Sequence, residues 1–304
     1  MDGFQMTTAV VMLVFNRPEQ TARVFEAVRQ ARPPVLLVVA DGPRPDRADD
    51  ARNCDETRKI FDRVDWPCDV RRHFAEVNLG CRNRVSSGLD WAFNEVEEAI
   101  VLEDDCLPDP TFFRFCQELL ERYRHDDRIY MICGHNFLGG RRRTEDSYYF
   151  SKYTHVWGWA SWRRAWRHYD VEMKLWPTLR EGGWLVDAIG EEQAAYWSRC
   201  FESTYNGSMN TWDYQMFFAA FANNLLSIIP NVNLISNIGF GPAATHTTSV
   251  ADLANVPTQA MEFPLRHPRW VIRDQRSDEI MRRAVYAPPS LARKIRRRLK
   301  RWSA

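Results

Sequence analysis

Features that mark several specialised classes of protein are missing from this sequence. Lysine and arginine number 41 against 40 aspartate and glutamate residues, so the net charge of +1 gives no reason to expect nucleic acid as a partner. The seven cysteines include no Cys-x-x-Cys pair, and we expect buried, reduced thiols rather than a disulfide framework. We also expect no signal peptide, and no apolar run approaches the roughly 20 residues that cross a bilayer. These absences predict a cytoplasmic globular protein.

Aromatic residues, by contrast, are abundant. They make up 13% of the 304 residues and include 12 tryptophans. Tryptophan supplies a large apolar area to a core, and its ring also stacks on sugar rings. The count alone is compatible with either use.

The first 135 residues alternate between short apolar runs and helical patterns. We predict strands at Val10–Phe15, Val35–Ala40, Asp69–Phe74, Ala99–Leu102 and Ile129–Cys133. We predict helices at Glu19–Arg32, Asp49–Val64, Arg84–Val96 and Thr111–Arg124. Such alternation is typical of an α/β fold with a mostly parallel sheet and helices on both faces.

After about residue 140 the pattern changes. Residues 148–169 are dense in aromatics, and helical patterns return at Glu191–Tyr205 and Asp213–Asn223. We predict a single domain with a nucleotide-sugar (donor) binding half at 1–135 and an acceptor and catalytic half at 136–250. Residues 251–304 would form a C-terminal extension.

Polar residues follow three of the predicted strands. They are Asn16-Arg17, Asp41-Gly42 and Glu103-Asp104-Asp105. In parallel sheets, ligands bind at the carboxyl ends of the strands. We therefore expect these residues to line one binding site.

The acidic triplet at 103–105 favours a divalent metal ion. Three adjacent carboxylates repel one another unless a cation or several hydrogen-bond donors compensate. Mg²⁺ or Mn²⁺ fits best, because hard cations prefer oxygen ligands and leave positions for phosphate oxygens. Such a metal would neutralise a diphosphate leaving group. The alternative is a solvated, acid-rich turn, which the position directly behind a buried strand disfavours.

The segment around the triplet resembles a known family. Val101–Phe113 is similar to the metal-binding strand end of glycosyltransferases with the GT-A fold, above all N-acetylglucosaminyltransferase I and its bacterial relatives. Six further segments agree in chain order, within about residues 10 to 246: Leu-Val-Phe-Asn-Arg-Pro (13–18), Val-Val-Ala-Asp-Gly (38–42), Asn-Leu-Gly (78–80), Gly-Trp-Ala-Ser-Trp (158–162), Trp-Asp (212–213) and Asn-Ile-Gly-Phe-Gly (237–241). The resemblance implies a GT-A type of α/β fold.

The resemblance also implies roles for individual residues. Asp105 would hold Mn²⁺ or Mg²⁺, and Asp104 would face the donor ribose or the water shell of the metal. The implied donor site comprises Phe15, Asn16, Arg17, Asp41, Asn78, Arg84, Glu103 and Asp104. Arg84 would approach the diphosphate; for Arg17 and Arg84 the alternative is a surface salt bridge.

In the second half, Asp213 is the predicted catalytic base. An inverting transfer needs a base for the proton of the acceptor hydroxyl, and the resemblance places the family's catalytic carboxylate at this residue, beside Trp212. The alternative is that Asp213 only favours the start of a helix.

Three tryptophans and one histidine complete the predicted site. Trp157, Trp159 and Trp212 would contact the acceptor or donor sugar, and a strand would put Trp157 and Trp159 on one face; a packed aromatic core is the alternative for that segment. The resemblance to GT-A enzymes suggests His246 as a further ligand of the metal or the diphosphate, although the nearest relative does not depend on one.

The C-terminal tail suggests a membrane contact. Ser290–Trp302 contains seven lysines and arginines, with apolar residues at 291, 295, 299 and 302. That spacing is typical of a basic amphipathic helix on a membrane surface, and a solvated tail is the alternative. Membrane binding would favour a lipid-linked or cell-envelope acceptor.

The sequence thus predicts an inverting, metal-dependent glycosyltransferase that uses a nucleoside diphosphate sugar, with UDP-sugars favoured, and a glycan or lipid-linked acceptor. A sugar nucleotidyltransferase should have a glycine-rich first loop, which residues 15–18 do not provide. A catalytically inactive nucleotide-sugar-binding module stays open. An oxidoreductase is disfavoured because no Gly-x-Gly-x-x-Gly follows the first strand.

Overall fold

The computed structural model describes residues 3–239 and 255–286. Its strands are β1 (Ala9–Val14), β2 (Val35–Ala40), β3 (Asp69–Phe74), β4 (Glu98–Glu103), β5 (Cys106–Pro108), β6 (Ile129–Cys133), β7 (Tyr148–Ser151), β8 (Trp159–Trp162), β9 (Leu226–Pro230) and β10 (Ile235–Asn237). Its α-helices are α1 (Pro18–Ala31), α2 (Asp50–Lys59), α3 (Gly80–Glu95), α4 (Thr111–Tyr123), α5 (Arg163–Trp166), α6 (Trp176–Glu181), α7 (Trp184–Ile189), α8 (Glu191–Tyr205), α9 (Asp213–Ala222) and α10 (Gln275–Met281). A 3₁₀ segment (Ile60–Arg63) extends α2, and a π-helical segment (Arg282–Tyr286) follows α10.

Eight strands form one central sheet, in the order β3-β2-β1-β4-β8-β6-β9-β7. The strands β3, β2, β1 and β4 run parallel to one another, and β9 runs parallel to β6. The pairs β4–β8, β6–β8 and β7–β9 are antiparallel. The predicted α/β fold with a mostly parallel central sheet is confirmed.

Both faces of this sheet are covered. All six residues of β1 are buried, although successive side chains of a strand point to opposite faces. Continuous runs of valine and leucine are what such a strand requires, and each fully buried side chain contributes roughly 1.5–3 kcal/mol to folding. Helix α4 supplies part of the cover with the apolar side of its strongly amphipathic surface.

Strand register brings the carboxyl ends of β1, β2 and β4 to one edge. Leu13 pairs with Glu103, and Val14 pairs with Ala40. The residues that follow these strands therefore lie side by side, as the alternation of strands and helices predicted.

The region between residues 140 and 190 departs from the sequence prediction. Strand β8 enters the sheet between β4 and β6, and β7 lies at its edge. A second, two-stranded sheet joins β5 to β10, directly after the acidic triplet. Strands from both predicted halves share the central sheet, and the division at residue 135 stays a prediction. Among the described residues, no helix is long and apolar enough to cross a membrane.

Candidate active site

A cavity of about 400 Å³ opens at the carboxyl ends of β1, β2 and β4. Nine of the residues predicted from the sequence line it: Phe15, Arg17, Asp41, Asn78, Arg84, Glu103, Asp104, Asp105 and Trp157. Its wall also contains residues that the sequence analysis did not single out, including Arg44, Cys81, Asn210, Asn237 and Gly239. The predicted residues Asn16, Trp159, Trp212 and Asp213 do not line this cavity.

Arg17 binds two members of the acidic triplet. Its Nη1 donates to Asp105 Oδ2 at 2.7 Å and to Asp104 Oδ1 at 3.3 Å. Asp104 Oδ2 also accepts a hydrogen bond from the backbone N–H of Phe15 at 3.3 Å. These ion pairs lie inside the cavity wall, with side-chain exposures of 22% for Arg17 and 10% for Asp104. These ion pairs therefore hold the loop after β1 against the segment that follows β4.

The triplet still holds more negative charge than Arg17 offsets. Burial, followed by the charge of Asp105, raises the pKa of Asp104 to about 7. Burial and the charges of Asp105 and Asp104 also raise the pKa of Glu103 well above its usual range, although Arg17 opposes this. An added cation would be favourable here, because it would lower the electrostatic cost of keeping these groups ionised.

The acids do not form a complete metal cage. Within residues 3–239 and 255–286, no group of three or more His, Cys, Asp or Glu side chains is arranged to hold a metal ion. Mg²⁺ at nucleotide sites is usually bound by one or two carboxylates together with substrate phosphates. The oxygen donors and the excess negative charge of the triplet fit this kind of site, in which substrate phosphates supply the remaining ligands.

The carboxylate of Asp41 accepts four hydrogen bonds from the protein. Its Oδ1 accepts from the backbone N–H groups of Gly42 (2.8 Å) and Leu79 (2.9 Å). Its Oδ2 accepts from Asn78 Nδ2 (3.0 Å) and from the backbone N–H of Gly80 (3.1 Å). Asp41 thus fixes the 78–80 loop against the end of β2, and Asn78 lines the cavity partly because of it.

Arg84 is buried, with 4% of its surface exposed. Its Nε donates to the carbonyl oxygen of Ala40 at 3.1 Å, and its Nη2 donates to the carbonyl oxygen of His73. The surface salt bridge considered for Arg84 is therefore wrong, because the guanidinium joins the ends of β2 and β3. Its predicted approach to a diphosphate stays a prediction.

Asn16 does not line the cavity, and its side chain is bound by Asp50. The amide nitrogen of Asn16 donates to Asp50 Oδ1 at 2.7 Å. The same carboxylate accepts from Nε (2.6 Å) and Nη2 (3.0 Å) of Arg44, which does line the cavity. Sequence reasoning missed Arg44, since nothing local distinguishes it from the other arginines of the 44–52 segment.

The segment after β10 passes directly over Asp105. The backbone N–H of Ile238 donates to the carbonyl oxygen of Asp105 at 2.8 Å, and Asn237 Nδ2 donates to Asp105 Oδ1 at 3.4 Å. A Cβ atom at Gly239 would lie 2.0 Å from Asp105 Oδ2. The Asn-Ile-Gly stretch was the sequence signal for this contact, although Asn237 and Gly239 were not predicted as site residues.

Gly158 separates the two tryptophans that were expected on one strand face. Its φ of +61° lies in the left-handed region, and β8 begins only at Trp159. Trp157 lines the cavity, whereas Trp159 is fully buried and stacks 6.2 Å from Trp212. The common strand face is therefore wrong: a sugar could reach Trp159 or Trp212 only after the surrounding core moved.

Asp213 is the first residue of α9, near the cavity but outside its wall. Its Oδ1 accepts from the hydroxyl of Thr211 and from the backbone N–H of Tyr214 at 3.1 Å. Its charge contributes to the raised pKa of Glu103, and Asn210 in the same loop lines the cavity. This position is compatible with a base and with a helix-start role. His246 and Ser290–Trp302 lie outside the described residues.

No protein-family model and no curated protein sequence matches this chain. Among the solved structures that are similar to it, three have identities of 10% to 11%. The inositol-1-phosphate CTP transferase from T. maritima is 10% identical, with 82% of this chain and 96% of that chain covered and a TM-score of 0.41.

UDP-glucose pyrophosphorylase complexed with UDP-glucose is 10% identical, covering 74% of this chain and 90% of that chain, with a TM-score of 0.35. Mouse xyloside xylosyltransferase 1 is 11% identical, with 72% of this chain and 82% of that chain covered and a TM-score of 0.35. Similarity at this level does not distinguish one reaction from another. The likeness to N-acetylglucosaminyltransferase I stays a prediction.

Proposed function

We propose that this protein is an inverting, metal-dependent glycosyltransferase that moves a sugar from a nucleoside diphosphate sugar, most favourably a UDP-sugar, to a hydroxyl group of a glycan, glycolipid or other cell-envelope acceptor. The observation that carries the proposal is the cavity at the ends of β1, β2 and β4, with the carboxylates of residues 103–105 in its wall. That edge of a parallel sheet is where ligands of such folds bind.

Asp105 would hold Mn²⁺ or Mg²⁺ together with phosphate oxygens of the donor, and Asp104 would face the donor ribose or the water shell of the metal. When bound, the metal would neutralise negative charge that develops on the departing nucleoside diphosphate. Arg17 would keep the two carboxylates in place, because its Nη1 contacts both of them. In this proposal the chain itself supplies the orientation of the donor, through the loops after β1 and β2.

Asp213 would accept the proton of the acceptor hydroxyl as that oxygen attacks the anomeric carbon. The Thr211 hydroxyl bonded to Asp213 would fix the orientation of its carboxylate. Trp157, in the cavity wall, would contact the sugar. One base on the side opposite the leaving group gives a single displacement and inversion at the anomeric carbon.

A nucleotide-release assay tests the proposal. The full-length protein is incubated with UDP-sugars and Mn²⁺, with and without EDTA, and the release of free UDP is measured. Metal-dependent UDP release supports the glycosyltransferase. Formation of UTP after addition of pyrophosphate instead would identify a sugar nucleotidyltransferase. Tight UDP binding without turnover, in the presence of candidate acceptors, would identify a binding module.

A further inference from the structure

Arg44 lies in the cavity wall, and its guanidinium contacts Phe15 and Asp50. Its guanidinium carbon lies 5.2 Å from the centre of the Phe15 ring, over the face of that ring. Its Nε and Nη2 form the two-point contact with Asp50, and its backbone N–H donates to Asp50 Oδ2 at 3.2 Å. Among the described residues, Nη1 of Arg44 has no hydrogen-bond partner. The guanidinium is therefore held by Asp50 and Phe15, keeps one NH2 group without a partner in the described part of the chain, and belongs to a residue that lines the cavity.

Asp50 is built to hold this arginine. Its side chain is only 4% exposed, and Asn16 donates to it as well. Hydrogen bonds from Arg44 are the largest cause that lowers the pKa of Asp50 to about 2. The carboxylate is therefore charged at neutral pH, and it orients Arg44 without competition from solvent. A guanidinium that is held in one plane loses little conformational freedom when it binds a ligand.

The position of Arg44 assigns it to one end of the donor. The acidic triplet follows β4, and Arg44 follows β2, with β1 between them. Neighbouring strands are about 4.8 Å apart, so the ends of β2 and β4 are separated by roughly 10 Å, about the length of a nucleoside. If the diphosphate lies at the triplet, the base lies near Arg44 and Phe15. The other polar group at the end of β2, Asp41, already accepts four hydrogen bonds from the chain.

We propose that Arg44, positioned by Asp50 and Asn16, reads the nucleobase of the donor and selects bases that carry a carbonyl oxygen where cytosine or adenine carries an amino group. This inference rests on the proposed function and names the substrate class of the same site. A guanidinium has donors and no acceptor, so it pairs with the O4 of uracil or the O6 of guanine. An amino group in that place would put two hydrogen-bond donors, Nη1 and the amino group of the base, against each other, and both would lack an acceptor.

Binding of nucleoside diphosphates tests this inference directly. Dissociation constants for UDP, CDP, GDP and ADP are measured by calorimetry with Mn²⁺, for the full-length protein and for Arg44→Met. The two pairs UDP/CDP and GDP/ADP differ in the exchange of a carbonyl for an amino group on the ring. We expect the unchanged protein to prefer the carbonyl member of at least one pair by on the order of tenfold or more. Arg44→Met should bring that ratio to within about twofold of unity.

A matched control separates base reading from loss of charge. Arg52 lies on α2 with 67% of its side chain exposed, and it does not line the cavity. Arg52→Met should therefore keep the ratio of the unchanged protein. Because Arg44→Met alone leaves the buried Asp50 carboxylate without its cation, the double variant Arg44→Met/Asp50→Asn provides a second test in which that charge is also removed.

The outcomes separate this inference from the proposed function. If either Arg44 variant is folded by circular dichroism and keeps the preference for the carbonyl base, Arg44 does not read the base. The same conclusion follows if the unchanged protein binds both members of each pair equally. If none of the four nucleoside diphosphates binds, with Mn²⁺ or without it, the proposed function is wrong and this inference with it.

Discussion

Gly239 lies against Asp105 so closely that position 239 has no room for a side chain. A Cβ atom built there would stand 2.0 Å from Oδ2 and 2.8 Å from Cγ of Asp105. Asn237 holds the other carboxylate oxygen at 3.4 Å, and Ile238 holds the backbone carbonyl of the same residue. The strand β10 and its C-terminal continuation therefore fix where the Asp105 carboxylate points.

This contact predicts a selective effect of Gly239→Ala. The new methyl group must displace the Asp105 carboxylate, and we expect the apparent affinity for Mn²⁺ in the presence of UDP to fall by about 10-fold or more, as for mutations that disturb the support of metal ligands. The free energy of unfolding should change little, because the residue lies at the cavity rather than in the core. Gly182→Ala is the control, since the nearest atom to its Cβ is 3.7 Å away. Equal Mn²⁺ affinities in the two variants would contradict the prediction.

Asp105→Ala tests the metal site itself. We expect the variant to lose the Mn²⁺ dependence of donor binding while it stays folded, because it removes a side chain beyond the end of β4 that would contribute oxygen ligands. Calorimetry of UDP binding with and without Mn²⁺ gives the measurement. Asp127→Ala, at a side chain that is 92% exposed, should behave like the unchanged protein. Undiminished Mn²⁺ dependence in Asp105→Ala would remove this residue from the metal site.

Much of this site could be predicted because its framework is set by local patterns. The apolar runs of β1, β2 and β4 identify buried parallel strands, and their order along the chain places Arg17 and Asp105 at one sheet edge. No pattern of that kind reveals that Arg17 binds Asp104 and Asp105 directly. The pairing depends on how the first loop turns after β1, which side-chain packing decides.

The residues that sequence reasoning missed depend on partners far along the chain or on backbone conformation. Arg44 has a role because Asp50 is buried beside it and because Phe15, 29 positions earlier, lies beneath it. The two tryptophans at 157 and 159 separate because Gly158 adopts a left-handed φ, which periodicity cannot indicate. Strand β8 was missed because it is only four residues long, which is too short for an alternating pattern to stand out.

His135 predicts a pH dependence of stability. Its ring is fully buried, both ring nitrogens lack hydrogen-bond partners within residues 3–239 and 255–286, and burial lowers its pKa to about 3. The unfolded chain binds a proton near pH 6.5, and the folded protein does not until the pH is much lower. The free energy of unfolding should therefore fall as the pH is lowered from about 6.5, by roughly 2 kcal/mol between pH 7 and pH 5 from this residue.

Urea unfolding of His135→Phe at these two pH values checks this contribution. Phenylalanine does not titrate, and the described part of the chain offers the histidine nitrogens no hydrogen bonds to lose, so the variant should lose less stability between pH 7 and pH 5 than the unchanged protein. His125→Gln, at an exposed residue, should leave the pH dependence as it was. An identical pH dependence in His135→Phe would mean that this histidine is protonated, or accessible to solvent, in the folded protein.

Removal of Ser290–Ala304 tests the membrane hypothesis, which rests on the sequence alone. The truncated protein should keep its activity on soluble substrates and should no longer sediment with anionic vesicles at low salt. The reason is that basic residues around an apolar stripe bind anionic lipid surfaces. If the full-length protein does not sediment with such vesicles, the predicted membrane contact is wrong.

The assignment of Asp213 can be decided by one conservative substitution. Asp213→Asn keeps the size and polarity of the side chain but removes its ability to accept a proton. If Asp213 is the base, the transfer rate at saturating donor and acceptor should fall by roughly 10²–10⁴-fold, while donor affinity stays within a few-fold. A helix-start role predicts little change in rate or stability, because asparagine serves nearly as well as aspartate there. Asp127→Asn, at a side chain that is 92% exposed, is the control and should retain the rate. A retained rate in Asp213→Asn would direct the search to Asp187 and its acidic neighbours on α8.

The stereochemistry gives an independent check, because a single displacement assisted by one base inverts the anomeric centre. An NMR spectrum that shows retention in the product would therefore contradict the mechanism even if Asp213→Asn is inactive.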